Sequence, residues 1–323
     1  MDLNITHITD SDKSRVVAVH NDTIYDLNKC CSEKLIAENT SNASSMANTL
    51  IPSNLKDFLN SKIDVINQSQ KVMEWATAKG IQEVLSDHQS SWKIAEKKLE
   101  SPIISSSKII MIGDTYISHA DRAGISPPDR PGIFFKMSQV VIGNNDWIIY
   151  PKNYYPQPLK FDTELAVVIG KSGMSIPEDK IQDHIWGYTI CNDLTLSGAK
   201  DLGPRYKCFE TSAPIGPWIV PKAQLKNPLD LHMEFRINGK TVQEGHTSNL
   251  IFSIESIISE VSEYHKLSPG DIISLGGPGP TTSLNPGDIV EAEIESIGIL
   301  SLSLIHISEP TRRYAISYAV FCL

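Results

Sequence analysis

The sequence has few cysteines and no long apolar run. Five cysteines occur among 323 residues, with no Cys-x-x-Cys pair and no spacing typical of a disulfide framework, so a reduced, cytoplasmic setting is expected. No stretch approaches the roughly 18–20 apolar residues of a membrane-spanning helix. The N-terminus also lacks the basic region and apolar run of a signal peptide. These absences predict a protein that has no membrane partner.

Positive charge is the third deficit. Lysine and arginine total 29 against 38 acidic residues, which gives a net charge of −9 at pH 7. An excess of negative charge disfavours nucleic acid and anionic membrane surfaces as partners, so a small molecule is the expected partner. The hydrophobic content of 41% and the charged content of 21% are typical of a globular protein. The length allows one large domain or two.

Acidic residues with a defined spacing lie in the middle of the chain. Asp162 and Glu164 stand two residues apart at the start of an apolar β-type run, so their side chains point to one face of a strand. A second β-type run ends in Asn192-Asp193. If the two runs lie side by side, three carboxylates converge, and such hard oxygen ligands suit Mg²⁺, Mn²⁺ or Ca²⁺. The alternative is a solvated strand end with ordinary acids, because Asp-x-Glu alone is a weak motif.

Longer segments around these acids carry more information. The segments FDTELAVVIGKSG, GYTICND, YKCFETSAPIGPWIV, NGKTVQEGHTSNLIFS and LSPGDIISLGGPG occur in this order. As an ordered set they resemble the fumarylacetoacetate hydrolase (FAH) family, from about Lys108 to Leu300. The resemblance implies a strand-rich α+β fold, a mixed β-sandwich roll with a smaller N-terminal α/β domain. It also implies a divalent metal, Mg²⁺ or else Mn²⁺ or Ca²⁺, held by Asp162, Glu164 and Asp193. Asp162 replaces the family's first glutamate, which keeps the charge and shortens the side chain by one methylene.

The segment that begins at Gly113 resembles the family's Gly-x-x-Tyr-x-x-His motif. Tyr116 and His119 match it, and the resemblance implies that His119 works with a carboxylate to activate water. Histidine suits this task because its pKa lies near working pH. The family's glutamate three residues after the histidine is replaced by Arg122. Asp121 is a candidate for the missing acid, and an acid from elsewhere in the fold is the alternative.

Further matches to the family concern the substrate. Lys207 stands where the family keeps a lysine near the metal, and a cation there can stabilise a developing enolate. The family's arginine after the last metal ligand is replaced by Ser197, so Lys200 or Arg205 would hold the substrate's carboxylate end. A lysine, however, cannot form the two parallel hydrogen bonds that an arginine forms with a carboxylate. Lys136 either faces the site or is an exposed strand-end lysine. The other candidates for substrate binding are Tyr116, Gln243, Thr247 and the glycine-rich turn at Gly276 and Gly277, whose backbone N–H groups can bind an anion.

The resemblance implies hydrolytic cleavage of a C–C bond in a 1,3-diketo acid, such as an acylpyruvate or fumarylacetoacetate. The metal would act as a Lewis acid, His119 as the base and Lys207 as the cation that stabilises the enolate. Family relatives also dehydrate, decarboxylate or isomerise 2-keto acids, and the departures at Arg122, Ser197 and Gly277 keep such a reaction open. A non-catalytic metal-binding or small-ligand-binding protein with a degraded site is a further alternative. The resemblance to the family also implies a homodimer.

Two further patterns predict local structure in the C-terminal half. Leu231 to Ile237, an Asn238-Gly239 turn and Lys240 to Gln243 are typical of a β-hairpin. After Ser253, apolar residues recur at helical spacing. This spacing predicts an amphipathic helix whose buried stripe consists of Ile254, Ile257, Ile258, Val261 and Tyr264.

A polar linker at Ser101–Ser107 and an adapter-like segment after Ser301 divide the chain into three parts. Residues 1–104 are expected to form an N-terminal domain plus linker, and residues 105–301 the FAH-like catalytic domain. Residues 302–323 contain LSLIHISEPTR and ISYAVFCL, which read as the two ends of a translated sequencing adapter. We therefore interpret 302–323 as an artefact that is not native protein and exclude it from fold reasoning. The alternative is a genuine apolar C-terminal strand.

Overall fold

One large β-sheet organises the residues that the computed structural model describes, namely 2–78, 90–117, 128–279 and 282–306. Its strands follow the order β4-β3-β2-β1-β13-β11-β10-β16-β5-β6, and β7 pairs with β13 in addition. The strands of this sheet are β1 Asn4–Asp10, β2 Lys13–His20, β3 Thr23–Asp26, β4 Ser91–Lys93, β5 Ile109–Gly113, β6 Gly132–Lys136, β7 Val141–Ile142, β10 Thr163–Ile169, β11 Ile185–Asn192, β13 Ala213–Pro221 and β16 Ile272–Ser274.

A second sheet lies against one face of the first and completes a sandwich. Its order is β15-β14-β17-β18-β8, and a short ribbon joins β12 to β9. These strands are β8 Trp147–Tyr150, β9 Leu159–Lys160, β12 Thr195–Leu196, β14 His232–Ile237, β15 Lys240–His246, β17 Ile289–Ile294 and β18 Gly298–His306. Leu165 and Val167 from β10 share one core with Phe235 and Val290 from the second sheet. Because both sheets contain parallel as well as antiparallel pairs, the sandwich is mixed and the expected strand-rich α+β fold is confirmed.

Helices cover the opposite face of the large sheet. Asp26 caps α1 by accepting a hydrogen bond from the Lys29 N–H at 2.9 Å, as expected for an N-cap carboxylate. Cys30 and Phe58 of this helical layer share a core with Ala166 of β10. The helices of this layer are α1 Leu27–Ala37, α2 Ala43–Leu50, α3 Leu55–Leu59 and α4 Val65–Ala78. A fifth helix, α5 Ile254–Tyr264 in the C-terminal half, packs instead into the core that the two sheets share. In the described ranges, none of the helices has the length and apolar character needed to cross a membrane.

The N-terminal segment is joined to the rest of the chain through the sheet itself. β1 pairs with β13, where Ile5 lies opposite Ile219, so the first strands extend the large sheet. The helical layer and the central strands also share one apolar core. The division of the chain at residue 104 stays a prediction.

The two local predictions for the C-terminal half are confirmed. β14 and β15 form the expected hairpin, in which Ile237 pairs with Lys240 across the Asn238-Gly239 turn. Helix α5 begins after its N-cap Ser253. Its predicted stripe is buried except for Tyr264, which is 58% exposed because the helix ends at that residue.

The last described strand continues beyond residue 301. β18 reaches His306, and its residues 303–306 pair in parallel with Trp147–Tyr150 of β8. Leu302 and Leu304 are buried. The strand conformation therefore matches the alternative interpretation as far as residue 306. It does not bear on the origin of residues 302–323, so their assignment to translated adapter DNA stays a prediction.

Candidate functional site

The register between β10 and β11 brings the three acidic residues together. The two strands are antiparallel, with Thr163 opposite Asn192 and Glu164 opposite Cys191. Just beyond this pairing, the Asp193 N–H donates to the Asp162 carbonyl oxygen at 3.0 Å. The strand ends that the sequence placed side by side are therefore adjacent. All three carboxylates line one cavity of about 840 Å³.

The three carboxylates differ in their ionisation. Burial, opposed by a hydrogen bond from Gln243, raises the pKa of Asp162 to about 7. Burial also raises the pKa of Glu164 well above its usual range, and the charges of Asp193 and Asp162 add to this effect. Burial opposes the ionisation of Asp193 as well, but the ammonium groups of Lys136 and Lys207 outweigh it and lower the pKa of Asp193. Negative charge is thus balanced at Asp193 and unbalanced at the other two positions.

Two lysines supply the positive charge at Asp193. The Lys136 side chain is 0% exposed, and its Nζ lies 2.9 Å from Asp193 Oδ1. The same ammonium group donates to the carbonyl oxygens of Leu194 at 3.1 Å and Ser212 at 2.8 Å, and to that of Lys207. Lys207 Nζ donates to Asp193 Oδ2 and lies 5.0 Å from the centre of the Phe134 ring. The interpretation of Lys136 as an exposed strand-end lysine is therefore wrong.

The donor chemistry of this cluster fits a hard divalent cation. Three carboxylates share one cavity, and two of them have no cation of their own to balance their charge. As the side chains stand, however, no three His, Cys, Asp or Glu residues in the described part of the chain form a group that could hold a metal ion. In this arrangement Asp193 contacts two lysines, Asp162 accepts a hydrogen bond from Gln243 and Glu164 accepts one from Ser274. Asp193 would have to release a lysine before it could act as a ligand.

Glu164 and Asp162 are held by neutral donors. Glu164 Oε2 accepts from Ser274 Oγ at 2.5 Å and from the Gly276 N–H at 3.3 Å. Asp162 Oδ1 accepts from Gln243 Nε2 at 2.9 Å, and the same amide donates to the Gly279 carbonyl oxygen. Gln243, expected to bind substrate, therefore contacts Asp162, and its role in substrate binding stays a prediction.

The other residues predicted to bind substrate divide into two groups. Lys200, Gly276 and Gly277 line the cavity together with Lys207. Tyr116 and Thr247 are fully buried and do not line it. The Tyr116 hydroxyl donates to Met233 Sδ at 3.3 Å, and Thr247 Oγ1 accepts from the Leu231 N–H at 2.9 Å, so both polar groups are used inside the fold.

The predicted catalytic residues His119 and Asp121 lie outside the residues that the structure describes, as does Arg122. Arg205, the alternative to Lys200, is exposed, and its Nε donates to the Leu202 carbonyl oxygen at 2.9 Å. It does not line the cavity.

Sequence reasoning missed several residues of the cavity wall. Lys160 and Thr195 both line the cavity, and Phe134 and Phe135 form an apolar part of its wall. A signal for the first two was available, because Lys160 precedes Asp162 by two residues and Thr195 follows Asp193 by two. The phenylalanines carried no such signal, because their contact with the cavity depends on how β6 packs against the rest of the sheet.

Gly277 allows Asp162 to occupy its position. A Cβ atom at residue 277 would lie 2.4 Å from Asp162 Oδ1 and 2.8 Å from the Thr163 carbonyl oxygen. Gly277→Ala is therefore expected to displace the Asp162 carboxylate, to destabilise the protein by about 1–3 kcal/mol and to weaken Mn²⁺ binding roughly tenfold. Chemical denaturation and calorimetric titration with Mn²⁺ measure the two effects.

Gly132 provides the matched control for this substitution. It also lines the cavity, but a Cβ atom there would meet its nearest neighbours at 3.7 Å or more, which is ordinary contact. Gly132→Ala should leave both measurements near wild type. Equal effects of the two substitutions would show that the space beside Asp162 has no special importance.

Comparison with known proteins identifies relatives of the chain. The sequence model of the fumarylacetoacetate (FAA) hydrolase C-terminal domain matches residues 108–304. An uncharacterized protein of Archaeoglobus fulgidus is 42% identical over 214 residues, which cover 65% of this chain and 84% of that protein. Oxaloacetate tautomerase YisK of Bacillus subtilis is 36% identical over 269 residues, which cover 78% of this chain and 86% of that protein.

A solved structure shows the same fold over almost the whole chain. Maleylpyruvate hydrolase from Sphingobium sp. SYK-6, in complex with manganese(II) and pyruvate, matches with a TM-score of 0.69 at 22% identity. The match covers 94% of this chain and 99% of that one, and at this identity it bears on the fold alone. The match to the family model, the identity to YisK and the shared sandwich lead to one conclusion: the chain belongs to the fumarylacetoacetate hydrolase family, whose members are enzymes.

Proposed function

We propose that the protein converts 2-oxo acids through an enolate, and that its reaction is the interconversion of the keto and enol forms of a 2-oxo acid of the oxaloacetate type. The observation that carries this proposal is the position of Lys207, whose ammonium group lies in the cavity among the three carboxylates. A fixed cation at that point stabilises negative charge that develops on a substrate oxygen. The identity to a tautomerase over 78% of the chain supports the same reaction.

Each group of site residues would have its own role in binding the metal and the substrate. Asp162, Glu164 and Asp193 would hold a divalent cation, Mg²⁺ or Mn²⁺, which when bound polarises the 2-keto group as a Lewis acid. The N–H groups of the turn at Gly276 and Gly277 would bind the substrate's carboxylate, as glycine-rich turns do for anions. Lys207 would donate a hydrogen bond to the enolate oxygen. Mn²⁺ and pyruvate in the homologous hydrolase are consistent with this combination of metal and 2-oxo acid.

His119 keeps its predicted role as the base, and Asp121 its role as the acid that orients it. In a tautomerase, the base takes a proton from C3 of the substrate, the electron pair forms a C2–C3 double bond, and the keto oxygen receives a proton. No water is consumed. The missing glutamate at Arg122 matters less for this reaction than for hydrolysis, because no water has to be activated.

Hydrolysis of a C–C bond in an acylpyruvate is the second candidate. The observation that favours it is the match of Gly113, Tyr116 and His119 to the family segment associated with water activation. The apolar wall at Phe134 and Phe135 would accept the acyl group of such a substrate. A homodimer and a cytoplasmic setting remain predictions under both candidates.

One experiment compares the two reactions. We expect the protein with Mn²⁺ to accelerate the disappearance of enol oxaloacetate, followed by ultraviolet absorbance, and not to cleave acetylpyruvate. Lys207→Met should lower the rate roughly 10²–10³-fold, because a preorganised donor to the enolate oxygen is lost. Lys240→Met, at an exposed hairpin lysine, is the matched control.

The other outcomes also decide between the alternatives. Cleavage of acetylpyruvate without tautomerisation would replace the first candidate by the second. A folded protein that binds Mn²⁺ but catalyses neither reaction would favour the non-catalytic alternative.

A further inference from the structure

We propose that Lys160, assisted by Lys200, forms a second anion-binding subsite in the cavity, which selects 2-oxo acids that carry a second carboxylate. This inference rests on the proposed function and names the class of substrate. Lys207, which lines the cavity, and the fully buried Lys136 both contact Asp193. Within the described residues, the structure shows no ion pair or hydrogen bond for the ammonium groups of Lys160 and Lys200, although both residues line the cavity.

The short ribbon of β9 and β12 directs Lys160 into the cavity. Lys160 lies directly opposite Thr195, and Leu159 directly opposite Leu196. Leu159 and Leu196 are buried in the core of the sandwich. Because successive side chains of a strand point to opposite faces, Lys160 and Thr195 lie on the other face of the ribbon. Both residues line the cavity, so the fold itself orients this lysine.

The ribbon is held firmly at its end. The Ser197 N–H donates to the Pro158 carbonyl oxygen at 2.8 Å, which continues the ribbon by one residue. The Tyr154 hydroxyl donates to the Ser197 carbonyl oxygen. Lys200 follows at the start of a short 3₁₀ segment, Lys200–Tyr206, and lines the same cavity. The two lysines therefore lie on two chain segments that the β9–β12 ribbon holds side by side.

The distance from the carboxylate cluster suits a short dicarboxylate. Lys160 precedes Asp162 by two residues and Thr195 follows Asp193 by two, so both are displaced in the same direction along the antiparallel pair. Two residues of strand correspond to roughly 6–7 Å. A four-carbon acid has three C–C bonds of about 1.5 Å each, and the flexible lysine stem can bridge the rest.

The charge of the cavity argues for a carboxylate at this position. A 2-oxo acid that is bound by its keto-acid end presents C4 toward the ribbon, where the ammonium groups of Lys160 and Lys200 and the Thr195 hydroxyl can donate hydrogen bonds. A methyl group there would leave half-buried Lys160 without a partner, whereas a carboxylate would form a charge-assisted hydrogen bond. Ser197, at the position of the family's arginine, gives no charge of its own, so the task falls to Lys160.

Binding of two acids that differ at one group tests the subsite. Oxaloacetate and 2-oxobutyrate have the same four-carbon chain, with a carboxylate and a methyl group respectively at C4. With Mn²⁺ present, calorimetry should show that the wild-type protein prefers oxaloacetate. Lys160→Gln should lower the affinity for oxaloacetate about 10–100-fold, as expected for the loss of a hydrogen bond between charged groups. The same substitution should change the affinity for 2-oxobutyrate less than about twofold. Lys160→Arg should retain the preference.

Lys13→Gln, which removes an equally charged exposed lysine from β2, should leave both affinities unchanged. Equal weakening of both acids by Lys160→Gln, or a wild-type protein without preference, overturns the subsite. Because affinity is measured rather than turnover, loss of the preference in Lys160→Gln would uphold the subsite even if no tautomerase activity is found, and the proposed reaction alone would then fail.

Discussion

Glu164→Gln is expected to lower the affinity for Mn²⁺ by more than about 100-fold. This effect exceeds the usual loss from mutating a residue that only hydrogen-bonds to a metal ligand. Glu164 is 3% exposed and lies near the charges of Asp162 and Asp193. The amide keeps the size of the side chain and its contacts with Ser274 and Gly276, but it removes the negative charge that attracts the cation. Calorimetric titration measures the affinity, and the shift in melting temperature on adding Mn²⁺ gives an independent readout.

The same substitution should have the opposite effect on the metal-free protein. The raised pKa of Glu164 means that its ionisation opposes folding when no metal is bound, so Glu164→Gln is expected to raise the melting temperature, and to raise it more as the pH increases. Glu244→Gln, at an exposed position of β15, is the matched control and should change neither quantity. If Glu164→Gln binds Mn²⁺ as tightly as wild type, the carboxylate cluster is not a metal site.

Lys136→Met is expected to destabilise the protein by about 3–5 kcal/mol, the usual cost of removing one member of a buried ion pair. Its ammonium group donates to the carbonyl oxygens of Leu194, Lys207 and Ser212 and forms an ion pair with Asp193. Methionine fills a similar volume but satisfies none of these acceptors. Chemical denaturation monitored by circular dichroism measures the loss.

A double substitution separates the ion pair from the rest of the effect. Asp193→Asn removes the charge that Lys136 balances, so adding Lys136→Met to it should cost clearly less than in the wild-type background. Lys56→Met, at an exposed lysine of α3, controls for the loss of a positive charge. A loss of less than about 1 kcal/mol in Lys136→Met would contradict a structural role for this lysine.

Local sequence patterns predicted the strand pairing at the site and the elements after it. The apolar run that follows Glu164 becomes β10, and its partner β11 ends next to Asp193, as expected. The hairpin at Asn238-Gly239 and the helix after Ser253 also follow from local signals, because turn residues and periodicity act over a few residues. In that helix only Tyr264 departs from its predicted burial.

The partners of individual side chains could not be predicted in this way. The sequence allowed Lys136 either to face the site or to be exposed at a strand end. In the structure it is buried against a segment 58 to 76 residues further along the chain. Tyr116 matched a family motif, yet its hydroxyl contacts Met233, 117 residues away. Gln243 matched a position that faces the site, and it binds Asp162, 81 residues away. A local sequence pattern cannot predict contacts between side chains that lie so far apart in the chain.

The sequence by itself determined the family, the strand-rich α+β fold and the three carboxylates, because ordered motifs and short-range periodicity contain that information. The tertiary structure alone decided which cations face those carboxylates. Lys136 and Lys207 contact Asp193, whereas Lys160 faces the cavity from a ribbon whose opposite side is buried. The physical reason is that charge pairing depends on which side chains the packed sheets bring within a few ångströms, and residues far apart in the chain meet only after the two sheets have packed.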